Sequence, residues 1–350
     1  MLYFDTDYNN GLHPYLLQRL AETNGQRTLG YGFDEFSASA KQKICKACGC
    51  PDADVFLLVG GTQTNSIVIC AMLHAVEGVV CPDTGHINVH EAGAVEMTGH
   101  KVMALPNHDG KLDAGELESF LTNFAEDPTA DHCVRPGMAY ISFPTEQGTL
   151  YCAEELDRIY QVCQRHSIPL FVDGARLGYA LTSEKSDVSL PFLAHHCDVF
   201  YIGGTKVGAI CGEAVVFPKG NAPRYFFSIV KQHGALLAKG RLAGVQFDAL
   251  FTDDLYFRIA THANKQAAQL RDIMTKHGLI PFNDSPTNQQ FFVIPNEMIS
   301  RLQQYVMFET WGAYDETNTT CRFVTSWATT DEELSTLSSI LHSCLNNLEK

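Results

Sequence analysis

Lys206 stands in DVFYIGGTKVGAICGEAVVF, residues 198–217, behind a strand-like run and two glycines, with Thr205 and Val207 at its sides. Desolvation penalises an ammonium in such apolar company, lowers its pKa and makes the neutral amine accessible. A neutral amine condenses with an aldehyde to give a Schiff base. A second reactive pair lies in PLFVDGARLGYA, residues 169–180, where Asp173 and Arg176 sit at the mouth of a buried strand. Both are costly to bury without partners, so something charged must face them.

Two more stretches end strands. VGGTQTN, residues 59–65, is a Gly-Gly-Thr turn leading into a helix. It reads either as a plain turn or as an anion cradle of backbone N–H groups and a threonine hydroxyl. No GK[ST] follows, so it is not a Walker loop. DTGHINVHEAGA, residues 83–94, brings His86 just after the next strand, either as a satisfied loop histidine or as a flat group facing a ligand. His90 and Glu91 read as surface or packing residues. One cofactor uses all of these pieces. Pyridoxal 5′-phosphate (PLP) needs a Schiff-base lysine, a phosphate pocket, a carboxylate on its pyridine nitrogen and a flat neighbour for its ring.

The elements that position these residues are short apolar runs ending in Gly, Asp or Pro. They are Val55–Val59, Gly78–Cys81, Lys101–Leu105, Met138–Phe143, Leu170–Asp173, Val199–Ile202 and Ala214–Phe217. Helical segments Asn65–Val76, Ala114–Phe124 and Ala153–His166 fall between them. Near-continuous apolar strands alternating with helices predict a mostly parallel seven-stranded α/β sheet covered on both faces, with its ligand at the carboxyl ends. After about residue 220 the pattern predicts helices over Tyr225–Leu250 and Asp254–Lys276, strands over Gln290–Ile294, Tyr305–Thr310 and Arg322–Trp327, and a closing helix from Asp331. The expected division is a large domain over 31–245 and a small α+β domain over 246–350. Residues 1–30 are expected against the small domain or a dimer interface.

A formal net charge of −15 argues against nucleic-acid binding, which wants clustered Lys and Arg. No apolar run is long enough to span a bilayer, and the opening MLYFDTDYNN has no leader-like pattern. A cytoplasmic protein is expected, its 12 cysteines reduced and most of them buried singly. Cys45, Cys48 and Cys50 in KICKACGC form the one cluster. No matching ligand pair follows, so surface thiols beside a helix end are expected over a metal site.

Taken in order, TDYNNGLHP, GYGFD, GGTQTN, HINVHEAGA, VDGARL, GGTKVGAICGEAVVF and RFVTSWATT run almost from end to end. With them the chain resembles the threonine aldolase and β-eliminating lyase family, which has the aspartate-aminotransferase-like fold type I. The resemblance implies that Lys206 carries PLP, Asp173 partners the pyridine nitrogen and His86 stacks on the ring. It implies that Gly61, Thr62 and Gln63 hold the phosphate, with Arg241 reaching it from a neighbouring subunit. Arg322 takes the place of the arginine that pairs with the substrate's α-carboxylate, assisted by Arg176, which could instead serve the phosphate. Thr6 stands near the same carboxylate, and Tyr31 is a candidate from a neighbouring chain. Gly174 would let backbone approach the cofactor. The family's activity would be cleavage of a β-hydroxy-α-amino acid to glycine and an aldehyde, in a homodimer or homotetramer. β-Elimination on the same cofactor is the alternative, and a metal-binding protein built on the Cys45 cluster a distant one. One departure concerns specificity. Glu146, in SFPTEQGT, replaces the histidine thought to contact the substrate's β-hydroxyl. A carboxylate can still take that proton, and a phenylserine-like acid joins threonine and allo-threonine as a candidate substrate.

Overall fold

The computed structural model describes residues 1–346. All seven strand-like runs form one sheet: β1 (Asp54–Leu58), β2 (Glu77–Pro82), β3 (Val102–Leu105), β4 (Arg135–Ser142), β5 (Leu170–Asp173), β6 (Val199–Gly203) and β7 (Glu213–Phe217). Their spatial order is β1-β7-β6-β5-β4-β2-β3. Only β7 runs against its neighbours, pairing antiparallel with β1 and β6. The chain therefore starts at one edge, crosses to the other and works back inward. That reversal opens a crevice at the carboxyl ends of the strands.

Alternation along the strands explains which side chains share a face. Val80, Ile141, Val172, Phe200 and Val216 belong to one buried cluster. Val79, Tyr140, Phe171, Tyr201 and Val215 belong to the other. Asp173 follows Phe171 by two residues, so it emerges on the face of Tyr140 and Tyr201.

The helix expected from Asn65 begins earlier, at Gly61, and ends at Met72. The single helix expected over Tyr225–Leu250 is two, Phe226–Gln232 and Arg241–Leu250. Gly234 lies between them at φ +71°, a left-handed conformation that stops a helix. Helix Leu255–Lys276 forms as one piece and packs Leu255 and Ile259 under the large sheet. Its other end packs Leu270 and Met274 in a third core. That core lies against an antiparallel sheet ordered β8 (Ile280–Pro281), β9 (Gln289–Pro295), β11 (Asn318–Val324), β10 (Glu309–Ala313). The N-terminal residues join it: Leu2 and Tyr3 pair with Val306 and Met307, and Phe4 is buried there. The closing helix runs over Asp331–Asn346.

Candidate active site

One cleft at the carboxyl ends of β1, β4, β5 and β6 collects Gly61, Thr62, His86, Glu146, Asp173, Arg176 and Lys206, together with Tyr8, Thr205 and Glu213. Asp173 ends β5 and is buried. Its Oδ2 accepts from Tyr140 Oη at 2.6 Å and Asn65 Nδ2 at 2.9 Å. Its Oδ1 accepts from Tyr201 Oη at 2.5 Å and Ala175 N at 2.9 Å. Burial pushes the carboxyl's pKa up, but the His86 charge and these hydrogen bonds outweigh it and hold Asp173 below the usual range. A side chain at Gly174 would strike the wall rather than a ligand, because a Cβ there would lie 1.9 Å from the Tyr201 carbonyl oxygen.

His86 Nδ1 donates to Glu91 Oε1 at 2.7 Å, and the Glu91 side chain is fully buried. Asn65 Nδ2 donates to that same oxygen at 2.7 Å and so ties the imidazole's support to Asp173. Burial pushes the His86 pKa down, but Glu91, Glu146 and Asp173 together carry it above the ordinary value. Glu91 is thus not a surface residue but the group that orients His86. Across the cleft, Gly60 caps the helix that starts at Gly61 without a side-chain hydrogen bond. The first N–H groups of a helix have no acceptor within it, which leaves those of Gly61, Thr62 and Gln63 free for an anion.

Lys206 lies in the short turn Thr205–Val207 after β6. The Tyr179 hydroxyl donates to its carbonyl oxygen. Its Nζ has no hydrogen bond or ion pair with any of the described residues. Burial, reinforced by the Arg176 charge, lowers its pKa against the pull of Asp7, Glu146 and Asp173.

Asp173 and Arg176, read together in the sequence, have separate partners. Arg176 Nε and Nη2 donate to the two carboxylate oxygens of buried Asp7 at 2.8 and 3.0 Å. Asn288 Nδ2 donates to Asp7 at 2.9 Å. Glu146 Oε1 accepts from Ser142 Oγ at 3.2 Å. Arg322 stands behind the lining: Nη1 donates to Gln289 Oε1 at 2.9 Å, Nη2 donates to Glu309, and the guanidinium covers the Trp311 ring at 5.0 Å. Its buried Nε has no partner.

Besides Arg322, four candidates do not line this cleft. The Thr6 hydroxyl donates to Asn9 at 2.8 Å. Gln63 turns its Oε1 into the protein, buried and unpartnered. Tyr31 is exposed beneath the Lys231 ammonium, 4.6 Å from its ring centroid. Arg241 donates to the carbonyl oxygens of Gln26 and Thr23 at 2.6 and 2.7 Å. The cysteines correct another expectation. Cys48 and Cys50 are buried rather than at the surface, and burial raises the thiol pKa of both, as it does for Cys45. No group of His, Cys, Asp or Glu among the described residues could hold a metal ion.

Sequence reasoning did not single out Asp7, Asn65, Tyr140, Tyr201 or Glu213. Each lies inside or beside a quoted motif or strand, and the available signal was a polar tip near the carboxyl end of an apolar run.

The family model for β-eliminating lyases matches residues 18–297. The chain belongs to the β-eliminating lyase family. A solved threonine aldolase from Leishmania major is 38% identical over 98% of this lyase and 99% of that chain, with a TM-score of 0.94. A low-specificity L-threonine aldolase of Pseudomonas aeruginosa is 29% identical over 274 residues, 77% of this chain and 78% of that one. Aspartate aminotransferase from Thermus thermophilus, 15% identical with a TM-score of 0.71 over 98% of this chain, shares the fold. The architecture is fold type I. These relatives are PLP-dependent, and the protein is a PLP-dependent lyase. The cleft fits that cofactor: a carboxylate kept ionised by four donors, an unpartnered amine and an open helix end face one space.

Proposed function

We propose that this lyase cleaves the Cα–Cβ bond of a β-hydroxy-α-amino acid, releasing glycine and an aldehyde. The observation that carries the proposal is the shared cleft of Lys206 and Asp173, with Glu146 on its wall and Arg322 behind it. Lys206 is the amine that holds PLP, and Gly61 and Thr62 receive its phosphate. Asp173 keeps the pyridine nitrogen protonated, and His86, fixed by Glu91, covers the ring. The bound cofactor supplies an electron sink for the pair left at Cα when the bond breaks. Arg322 holds the substrate's carboxylate, which orients Cα–Cβ for cleavage. Arg176, already clamped by Asp7, contributes positive charge rather than a full fork. Glu146 takes the β-hydroxyl proton.

Oligomerisation fits this reading. The cleft of one chain holds about 260 Å³, under the roughly 300–1,000 Å³ of ordinary ligand pockets. Tyr31, Phe33 and Tyr225 present exposed aromatic surface. A dimer or tetramer in which Tyr31 and Arg241 complete a neighbour's site is proposed, as are the large domain over 31–245, the small one over 246–350 and a cytoplasmic location suited to free thiols. Among the described residues, no helix is long and apolar enough to cross a membrane.

A panel of threo and erythro β-hydroxy-α-amino acids, including threonine and phenylserine, assayed for glycine tests the reading. Glycine with an equimolar aldehyde supports it, and pyruvate with ammonia would establish β-elimination instead. Lys206→Ala is expected to abolish turnover and visible cofactor absorbance together. Full activity in that variant would overturn the assignment of Lys206.

A further inference from the structure

The guanidinium of Arg322 is held by different neighbours on its edge and on its face. β11 lies between β9 and β10, and Arg322 pairs in register with Phe291 on one side and Glu309 on the other. Along the edge, Nη1 donates to Gln289 Oε1 at 2.9 Å and Nη2 donates to Glu309 Oε2. The register of β10 shifts just beyond Thr310, where Trp311 lies, and the indole covers the guanidinium face with its ring centroid 5.0 Å from Cζ. Phe291 meets that indole edge to face, at 5.0 Å and 78°, and so fixes its plane. Trp311 Nε1 donates to the same Glu309 Oε2 at 3.3 Å. On its far side the indole faces His90 at 6.2 Å, and His90 lies 5.6 Å from the His86 ring.

We propose that Trp311 is a positioning residue for Arg322: its ring holds the plane of the fork, and its N–H keeps Glu309 when the substrate's carboxylate takes the arginine. A carboxylate meets a guanidinium in the guanidinium's own plane, so it competes with the edge contacts and leaves the face contact in place. The stack on Trp311 therefore persists while Glu309 exchanges. Glu309 Oε2 retains the indole donor after losing Nη2, which lowers the cost of its release. Without the indole, Glu309 would depend on Arg322 alone and compete harder. A tryptophan suits both tasks, since it offers the largest aromatic face for a cation and a donor at its rim. Its contact with His90 also ties the arginine of the small antiparallel sheet to the segment that carries His86.

The inference rests on Arg322 receiving the substrate's carboxylate, as proposed above, and its test reads binding without turnover. Holoenzyme is titrated calorimetrically with glycine, and with glycinamide, which keeps the amine and lacks the carboxylate. Trp311→Leu is expected to raise the Kd for glycine about tenfold and to leave that for glycinamide unchanged. Trp311→Phe keeps a ring over the guanidinium but loses the donor to Glu309, and is expected to raise the Kd for glycine about threefold. In an Arg322→Lys background, where the fork is gone, Trp311→Leu is expected to add nothing further. Equal weakening of both ligands would mean a structural role only and would overturn the proposal. Unchanged glycine binding in either variant, or an additive loss in the double variant, would overturn it as well. Arg322→Lys alone binding glycine as tightly as the wild type would remove Arg322 as the carboxylate site, and this inference with it. That failure is distinguishable from the ones carried by Trp311 alone, and the products of turnover bear on neither.

Discussion

Arg176 in the turn after β5 and Asp7 in the N-terminal segment form a buried pair held by two hydrogen bonds of 2.8 and 3.0 Å. The pair joins the opening residues to the floor of the cleft, and Asn288 extends it to the small sheet. Removing one member of a buried ion pair leaves the other uncompensated, which costs about 3–5 kcal/mol. Asp7→Ala is therefore expected to lower unfolding stability by about that amount in urea titrations. A change under about 1 kcal/mol would show that the site relaxes around a free Arg176.

Tyr201 and Tyr140 hold the Asp173 carboxylate from the two flanking strands. Tyr201→Phe removes a donor to a charged acceptor, worth about 1.5–3 kcal/mol, and is expected to raise the Asp173 pKa. Asp173→Asn keeps the shape and loses the charge. Its kcat/KM for glycine release is expected to fall by at least about 10²-fold, the usual scale for one preorganised electrostatic group.

Arg322 is engaged by Glu309 before any substrate arrives. A substrate carboxylate competes with Glu309 for this guanidinium, whose Nε is unpartnered. Glu309→Gln weakens that competition and is expected to lower KM up to about tenfold, because a larger fraction of the protein is ready to bind. Arg322→Lys loses the planar fork and is expected to raise KM by about tenfold or more with a smaller effect on kcat. Steady-state kinetics on one substrate separates the two outcomes.

The Glu213 carboxyl has a folded pKa of about 8 against an ordinary 4.5. With the folded value raised, its contribution to stability is whole below pH 4.5 and is lost as pH rises through about 8. Cofactor-free protein is expected to show a Tm that declines from pH 5 to pH 8, and Glu213→Gln is expected to flatten that slope. An unchanged slope in the variant would place the pH dependence in other groups.

The sequence by itself determined the seven strands and the side of the sheet where function lies. Apolar runs between helices leave few other arrangements, and strand carboxyl ends are where such sheets bind ligands. It also placed Asp173 at the end of one strand-like run and Lys206 two glycines and a threonine beyond another, whereas the fold decided that those two strands pair side by side. Tertiary structure alone decided the partners. Asp7 and Arg176 are separated by most of the large sheet in sequence, and only the folding back of the N-terminal segment brings them into contact. Tyr140 and Tyr201 look like ordinary strand aromatics until the register puts both beside Asp173. Glu91 reads as either a surface or a packing residue in the sequence, because spacing alone does not reveal which side is buried, and the fold buries it against His86. Tyr31 and Arg241, which the family resemblance assigns to a neighbouring subunit's site, lie outside this chain's own cleft. Motif spacing records position along one chain, whereas charge partners are set by what the fold places within about 3–4 Å.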